Sequence, residues 1–295
     1  MTLMEVNRVH IQRLQNLDIW PGSTAVERLS GGITNHNFLV RSAGKTYVAR
    51  LSVERELLGI DRRNEVVCQR AAHALGVAAG VVHHEHGVLV SEYLEARTLT
   101  PEEVRAPAFV PRLAEVFRAL HDGWNGLTGE MLSFSCFQTV RTYARTAREL
   151  NAGLPTDIEA LLDDSARLAR RLAPFVPVLC HNDLLAANVL DDGERVWLVD
   201  WEYAGMGRPL FDLAGVSANC RFPESLDRQL LSAYRRTNEA DPRDLLELGI
   251  LKAMSLFREA LWSVIQTIAS DIDFDYSQYA EDNFRAYRKA RERLG

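Results

Sequence analysis

The chain has 295 residues, 47% of them hydrophobic and 25% charged, with 34 basic against 40 acidic side chains and a formal net charge of −6. That length allows two domains or lobes of roughly 150 residues and a sizeable core, and the acidic balance argues against a nucleic-acid-binding surface while suiting a cationic small molecule. Cys68, Cys136, Cys180 and Cys220 are scattered with no Cys-x-x-Cys pair, which disfavours a disulfide framework or a zinc site and suits reduced thiols in the cytoplasm.

In chain order, residues 1–20 carry Glu5, Arg8, Arg13 and Asp18 among the apolar positions, so they hold no signal-peptide core. Residues 24–29, 36–41 and 46–51 read as three short strands, with Gly31-Gly32 and Ala43-Gly44 at the turns. Residues 61–75 read as a helix with Val66, Val67, Ala71, Ala72 and Leu75 among its apolar positions, stopped by Gly76. Residues 81–93 add two strands around Gly87. Five antiparallel strands with one helix between the third and fourth match the small lobe of the protein-kinase fold.

Beyond residue 97 the pattern changes to amphipathic helices. In residues 110–121, Leu113, Val116, Phe117 and Leu120 share one face and Pro111 suits the first turn. Further helices are expected over 137–150, 157–172, 211–219, 225–237, 243–270 and 276–294. The most apolar stretch, 248–270, is interrupted by Lys252, Arg258 and Glu259, which argues against a membrane span. Strands first and helices later predict an α+β protein of two lobes, residues 1–93 as a small antiparallel lobe and residues 94–295 as a mainly helical one.

Within the helical part, Val178-Leu-Cys-His-Asn-Asp-Leu-Leu-Ala-Ala-Asn-Val-Leu190 and Val196-Trp-Leu-Val-Asp-Trp-Glu202 place one His, two Asp and one Asn at the spacing of a phosphoryl-transfer site. Such a site needs a carboxylate facing the attacking hydroxyl, an amide oxygen five residues on for Mg²⁺, and a second carboxylate after the next hairpin to hold metal under the ATP phosphates. Asp183, Asn188 and Asp200 fill those places. His181 reads as an organiser of the loop, because Asp183 already supplies the carboxylate. Asp212 reads as a buried acceptor for the same loop.

The motif His-Asn-Asp-Leu-Leu-Ala-Ala-Asn-Val-Leu, then Val-Asp-Trp-Glu-Tyr-Ala-Gly and Arg208-Pro-Leu-Phe-Asp-Leu-Ala214, resembles the choline/ethanolamine kinase family, within the wider group of aminoglycoside phosphotransferases. The resemblance implies ATP, Mg²⁺ and a small hydroxylated acceptor. Residues 29–38 lie where a phosphate-covering loop belongs, which makes Gly31, Gly32 and Asn35 nucleotide candidates; glycine lets backbone N–H groups approach phosphate. Arg50 on the third strand stands where protein kinases carry Lys, as it does in choline kinases, and Glu65 on the next helix is its natural partner. Backbone groups from Glu92 to Leu94 are the adenine candidates.

For the acceptor, the stretches 260–266 and 272–280 resemble the family's C-terminal motif, whose aromatic residues surround a quaternary ammonium. The match carries over Trp262 as a cage residue, and Tyr276 and Tyr279 read either as cage walls or as core. Glu259 stands where the family has another Trp, and reads either as a partner for the cation or as a solvated helix charge. Glu202 reads either as a metal or acceptor ligand or as a turn cap. The acceptor expected is an amino alcohol, choline or ethanolamine first, with thiamine or an aminoglycoside as alternatives. A protein kinase is disfavoured because Asp200-Trp-Glu replaces Asp-Phe-Gly, and a non-catalytic nucleotide-binding module because Asp183, Asn188 and Asp200 are all present.

Overall fold

Helix α1, Leu3–Gln15, opens the computed structural model, which describes residues 3–29, 36–52, 56–270, 272 and 274–295. Residue contacts divide the chain into two compact units, Met1–Arg55 with Ala79–Glu95, and Glu56–Ala78 with Ala96–Gly295.

The first unit is an antiparallel sheet of β1 (Thr24–Arg28), β2 (His36–Ser42), β3 (Lys45–Leu51), β4 (Val81–Glu85) and β5 (Val88–Glu92), in the order β1-β2-β3-β5-β4. Phe38, Val40, Ala49, Leu51, Val88 and Val90 recur at every second position and turn to one face, where Leu14 of α1 joins them in a buried cluster. Residues 3–15 had carried no helix expectation from the sequence. Among their mixed charges, Ile11 and Leu14 pack on this sheet. The β2–β3 turn takes a left-handed backbone at both Ala43 and Gly44 (φ 47° and 77°), the geometry that matches strand twist in a two-residue hairpin. Arg50, only 7% exposed, sits in β3 between Asn37 of β2 and Leu89 of β5.

The second unit contains α2, Arg62–Ala74, started by Asp61, whose carboxylate accepts the N–H groups of Arg63 (2.8 Å) and Asn64 (2.9 Å). The sequence reading assigns this helix to the first lobe. Its contacts lie with the second unit, because Asn64 donates to the carbonyl of Ala204 and accepts from the N–H of Leu132, both at 2.8 Å, and Leu198 N–H reaches Val77 O at 2.8 Å. Two small sheets follow. Strand β6 (Arg97–Thr98) pairs with β8 (Val189–Asp191), which pairs with β9 (Val196–Leu198); β7 (Val178–Cys180) pairs with β10 (Gly205–Gly207). A side chain at Gly205 would put its Cβ 2.4 Å from the carbonyl oxygen of Leu132, so only glycine fits there.

Around these strands pack α3 (Pro101–Val104), α4 (Val110–Asp122), α5 (Cys136–Glu149), α6 (Ile158–Ala169), α7 (Pro209–Asn219), α8 (Glu224–Arg235), α9 (Pro242–Ala269) and α10 (Tyr276–Glu292). From α4 onward each boundary falls within a few residues of the one expected from apolar periodicity. The 28-residue α9 is buried on nearly every side from Leu248 to Gln266, packed against α5, α7 and α10. No helix among the described residues is long and apolar enough to cross a membrane. The four cysteines are free and buried, and burial pushes the thiols of Cys68, Cys136 and Cys220 up to about 12.

Candidate active site

Strand β7 is fully buried and delivers the chain to His181 and Asn182. Asn182 has a left-handed backbone, φ +64°, and so does Asp200. Conformations of this kind persist where the surroundings hold them in place. Asp212, in the first turn of α7 and 1% exposed, accepts the His181 N–H on Oδ2 at 2.8 Å and the Asn182 N–H on Oδ1 at 2.7 Å. His121 Nε2 lies 3.1 Å from the same carboxylate, and its Nδ1 lies 2.9 Å from the Tyr234 hydroxyl. Although His121, Cys180 and Asp212 gather within 4.8 Å, both imidazole nitrogens and both carboxylate oxygens are already committed. The group is a hydrogen-bonded peg for the loop, as expected of Asp212.

His181 is fixed the same way. Its Nε2 lies 2.9 Å from Val199 O, its Nδ1 accepts the Asp183 N–H at 3.3 Å, and its ring leans on Trp201 with centroids 4.7 Å apart. Burial lowers its pKa and keeps it neutral, so it organises the loop and is unsuited to act as a base.

Asn188 donates from Nδ2 to the Asp183 carbonyl at 2.9 Å, which leaves Oδ1 as the amide atom not used by that bond. The Asn188 carbonyl accepts the Val199 N–H at 3.1 Å, so the hairpin β8–β9 returns Asp200 beside Asn188. Glu202, two residues on, is 3% exposed and meets Arg62 Nη1 at 2.9 Å; the same nitrogen meets Glu65 at 2.9 Å. The start of α2 is therefore tied to the turn after Asp200, with Glu202 an ion-pair partner there.

Asp183 is the centre of a second charged group. Its Oδ1 accepts from Arg258 Nη2, whose guanidinium also donates to the Asn182 carbonyl (Nη1, 2.8 Å) and to Glu259 Oε1 (Nη2, 2.7 Å), and lies 4.9 Å above the Tyr203 ring. Burial, opposed by Arg258 and reinforced by Glu259 and Glu202, pushes the Asp183 carboxyl up to about 7. Glu259 is 5% exposed and its Oε2 faces the Tyr279 hydroxyl at 3.5 Å, which corrects the solvated-charge alternative for this residue. Burial and the nearby Glu259 raise the Tyr279 phenol, so it stays a neutral donor.

One helical turn after Glu259, Trp262 meets Tyr276 edge-on at 5.8 Å; Tyr276 meets Phe274 at 4.9 Å, and Phe274 meets Tyr279 at 5.7 Å. Trp262 and Tyr276 are 6% and 4% exposed, whereas Phe274 is 40% exposed and edges the ring cluster toward solvent. The structure thus joins Asp183, Asn188 and Asp200 through the loop, and Asp183, Glu259, Tyr279, Phe274, Tyr276 and Trp262 through a chain of contacts.

In the first unit the Glu92 N–H is bonded to Gly80 O at 2.9 Å, and its carboxylate accepts the Gly80 N–H at 3.1 Å. This removes the Glu92 N–H from the adenine candidates, because the strand ladder has already used it. Gly31, Gly32 and Asn35 lie outside the described residues. Arg258, Arg62 and Phe274 were missed in the sequence. The one available signal was Arg258 itself, a cation next to Glu259 in an otherwise largely apolar stretch of α9.

Residues 25–248 match the model of the phosphotransferase enzyme family, APH. Ethanolamine kinase 2 of Rattus norvegicus is 27% identical over 302 residues, 93% of this chain and 78% of that protein. Among solved structures, a choline/ethanolamine kinase family protein of Mesorhizobium loti is 31% identical with a TM-score of 0.80, covering 99% of this chain and 95% of that one. The choline kinase LicA of Streptococcus pneumoniae shares the fold, with a TM-score of 0.77 at 22% identity over 97% of this chain and 99% of that one.

Proposed function

This chain belongs to the phosphotransferase enzyme family and, within it, to the choline/ethanolamine kinases, and from that premise we propose that it transfers the γ-phosphoryl group of ATP to the hydroxyl of a small cationic amino alcohol. The observation that carries the acceptor class is the buried group of Asp183, Arg258 and Glu259 beside the rings of Trp262, Tyr276 and Tyr279. Two carboxylates share one guanidinium there. The surplus negative charge is what a cationic acceptor relieves, and ring faces attract the same cation through their quadrupoles. Glu259 Oε2 is an acceptor suited to an ammonium that still bears N–H groups, which favours ethanolamine over choline.

In this reading Asp183 accepts the hydroxyl proton while the acceptor oxygen forms a bond to the γ-phosphorus. The bond from phosphorus to the bridging oxygen breaks, and its electron pair leaves with ADP. Asn188 Oδ1 and the Asp200 carboxylate are hard oxygen donors of the kind Mg²⁺ takes, and Mg²⁺ bound by them would supply charge neutralisation at the β- and γ-phosphates. Arg50 is assigned to the phosphates together with Gly31, Gly32 and Asn35, whereas the Glu65 carboxylate meets Arg62 at the start of α2; the Glu92 carbonyl and the Leu94 N–H are assigned to adenine. The sheet of the first unit is assigned to the nucleotide, and the second unit, which includes α2, to the chemistry and the acceptor.

Steady-state turnover with Mg·ATP across ethanolamine, its N-methyl and N,N-dimethyl forms, choline, thiamine and an aminoglycoside tests the reading. The expected result is the highest kcat/KM for ethanolamine, falling with each methyl group. Turnover of thiamine or the aminoglycoside alone would replace the acceptor class.

A further inference from the structure

Asp183 is the group this account assigns to proton transfer, yet Asn182, the residue before it, has a left-handed backbone, and the Asp183 carboxylate is 88% buried by its 12% side-chain exposure. Its Oδ1 is taken by Arg258, and no donor among the described residues reaches Oδ2. Arg258 also holds the carbonyl of Asn182. One guanidinium therefore grips the backbone just before the base and one oxygen of the base itself, which fixes the direction in which the other oxygen points.

That same guanidinium divides Nη2 between Asp183 and Glu259, a residue of the acceptor group. It is 4% exposed, and its Nε has no hydrogen-bond partner. A buried guanidinium is costly unless paired, and an orphaned N–H adds to that cost. The groups that face Arg258 are Asp183 and Asn182 from the loop, Tyr203 from the turn before β10, Tyr143 from α5, and Glu259 from α9 itself.

We propose that Arg258 is the positioning residue for Asp183 and that it links acceptor recognition to phosphoryl transfer: an acceptor cation that engages Glu259 sets the share of Arg258 left to hold Asp183. The inference rests on the amino-alcohol kinase reading. Its consequence is that the acceptor's ammonium contributes to kcat as well as to KM, because binding energy remote from the hydroxyl orients the base. A displacement of about 1 Å in a reacting group costs roughly a hundredfold in rate.

The test is a kinetic cycle of Arg258→Lys, Asp183→Asn and the double variant, with ethanolamine and Mg·ATP. Lysine keeps the charge but loses the fork that holds two partners at once. Arg258→Lys is expected to lower kcat roughly a hundredfold with ATP KM within about twofold of wild type, and to have almost no further effect on kcat in the Asp183→Asn background, since it acts through Asp183. Costs that multiply in the double variant, or a change confined to acceptor KM, overturn the inference. If Arg258→Lys does not fold, wild-type enzyme decides it: 1-propanol, an uncharged isostere of ethanolamine, should show a saturating kcat at least about tenfold lower, and an equal kcat overturns the link. A wild type that phosphorylates no amino alcohol removes the functional reading itself, a result distinct from an active wild type indifferent to Arg258→Lys.

Discussion

Replacing Asp212 with Asn tests how the catalytic loop is held. The carboxylate accepts two backbone N–H groups, from His181 at 2.8 Å and Asn182 at 2.7 Å, and contacts His121 Nε2 at 3.1 Å. An asparagine keeps one acceptor oxygen and turns an NH₂ group toward the other donor, so one buried N–H loses its partner and two donors face each other. An unsatisfied buried donor costs about 1–3 kcal/mol, and bonds to an ionised acceptor are the stronger kind. The expected loss is about 2–4 kcal/mol. At about 2–4 °C per kcal/mol for a body of this size, Tm falls by roughly 5–15 °C. Because Asn182 precedes the base directly, kcat should fall at least about tenfold even well below the new Tm. Thermal unfolding followed by circular dichroism, with initial rates at 20 °C below each midpoint, reads both effects. A variant with wild-type Tm and kcat would show that the loop is not pegged by Asp212, and the argument from these bonds would fail.

Asp183→Asn is expected to lower kcat by about 10²–10⁴ while Mg·ATP affinity, measured by calorimetry, stays near wild type; near-normal turnover removes Asp183 from proton transfer. Trp262→Leu, which keeps part of the buried volume but removes the ring, should raise the KM for the amino alcohol roughly thirtyfold, the equivalent of about 2 kcal/mol for a desolvated cation–ring contact, and leave ATP KM unmoved. Acid stability reports the fork between Arg291 of α10 and Asp164 of α6, at 2.5 and 2.9 Å, which holds the Asp164 carboxyl below its usual range, with partial burial opposing. Since the folded pKa is depressed, this contribution is present above the unfolded value and is lost as pH falls through the folded one. Urea titrations should therefore show Asp164→Asn less stable than wild type at pH 7, with the gap closing as pH falls; a constant gap contradicts the linkage.

Apolar periodicity speaks for a residue's own element, and that is why the strands around Phe38 and Val90 and the helices from Val110 onward were legible. The layout of the loop was legible for a similar reason. Asp183, Asn188 and Asp200 lie close in sequence, so their spacing carries the geometry. Contacts that span many residues leave no such trace: Arg258 reaches Asp183 across 75 positions and Arg62 reaches Glu202 across 140. In α9, Arg258 reads only as an interruption of an apolar run, although burial makes it and Glu259 one charged pair. The assignment of α2 to the first lobe followed its position between strands; Asn64, whose bonds tie the helix to Ala204 and Leu132, gave no sign of its partners in the sequence.

The most direct measurement is identification of the product. Wild-type enzyme incubated with Mg·ATP and ethanolamine, then followed by phosphorus NMR, should form an O-phosphate monoester of the amino alcohol in step with ADP, and Asp183→Asn should form it at a rate lower by about 10²–10⁴. Formation of ADP with the γ-phosphate appearing only as inorganic phosphate, and no ester of ethanolamine or choline from a folded, ATP-binding protein, would contradict the account.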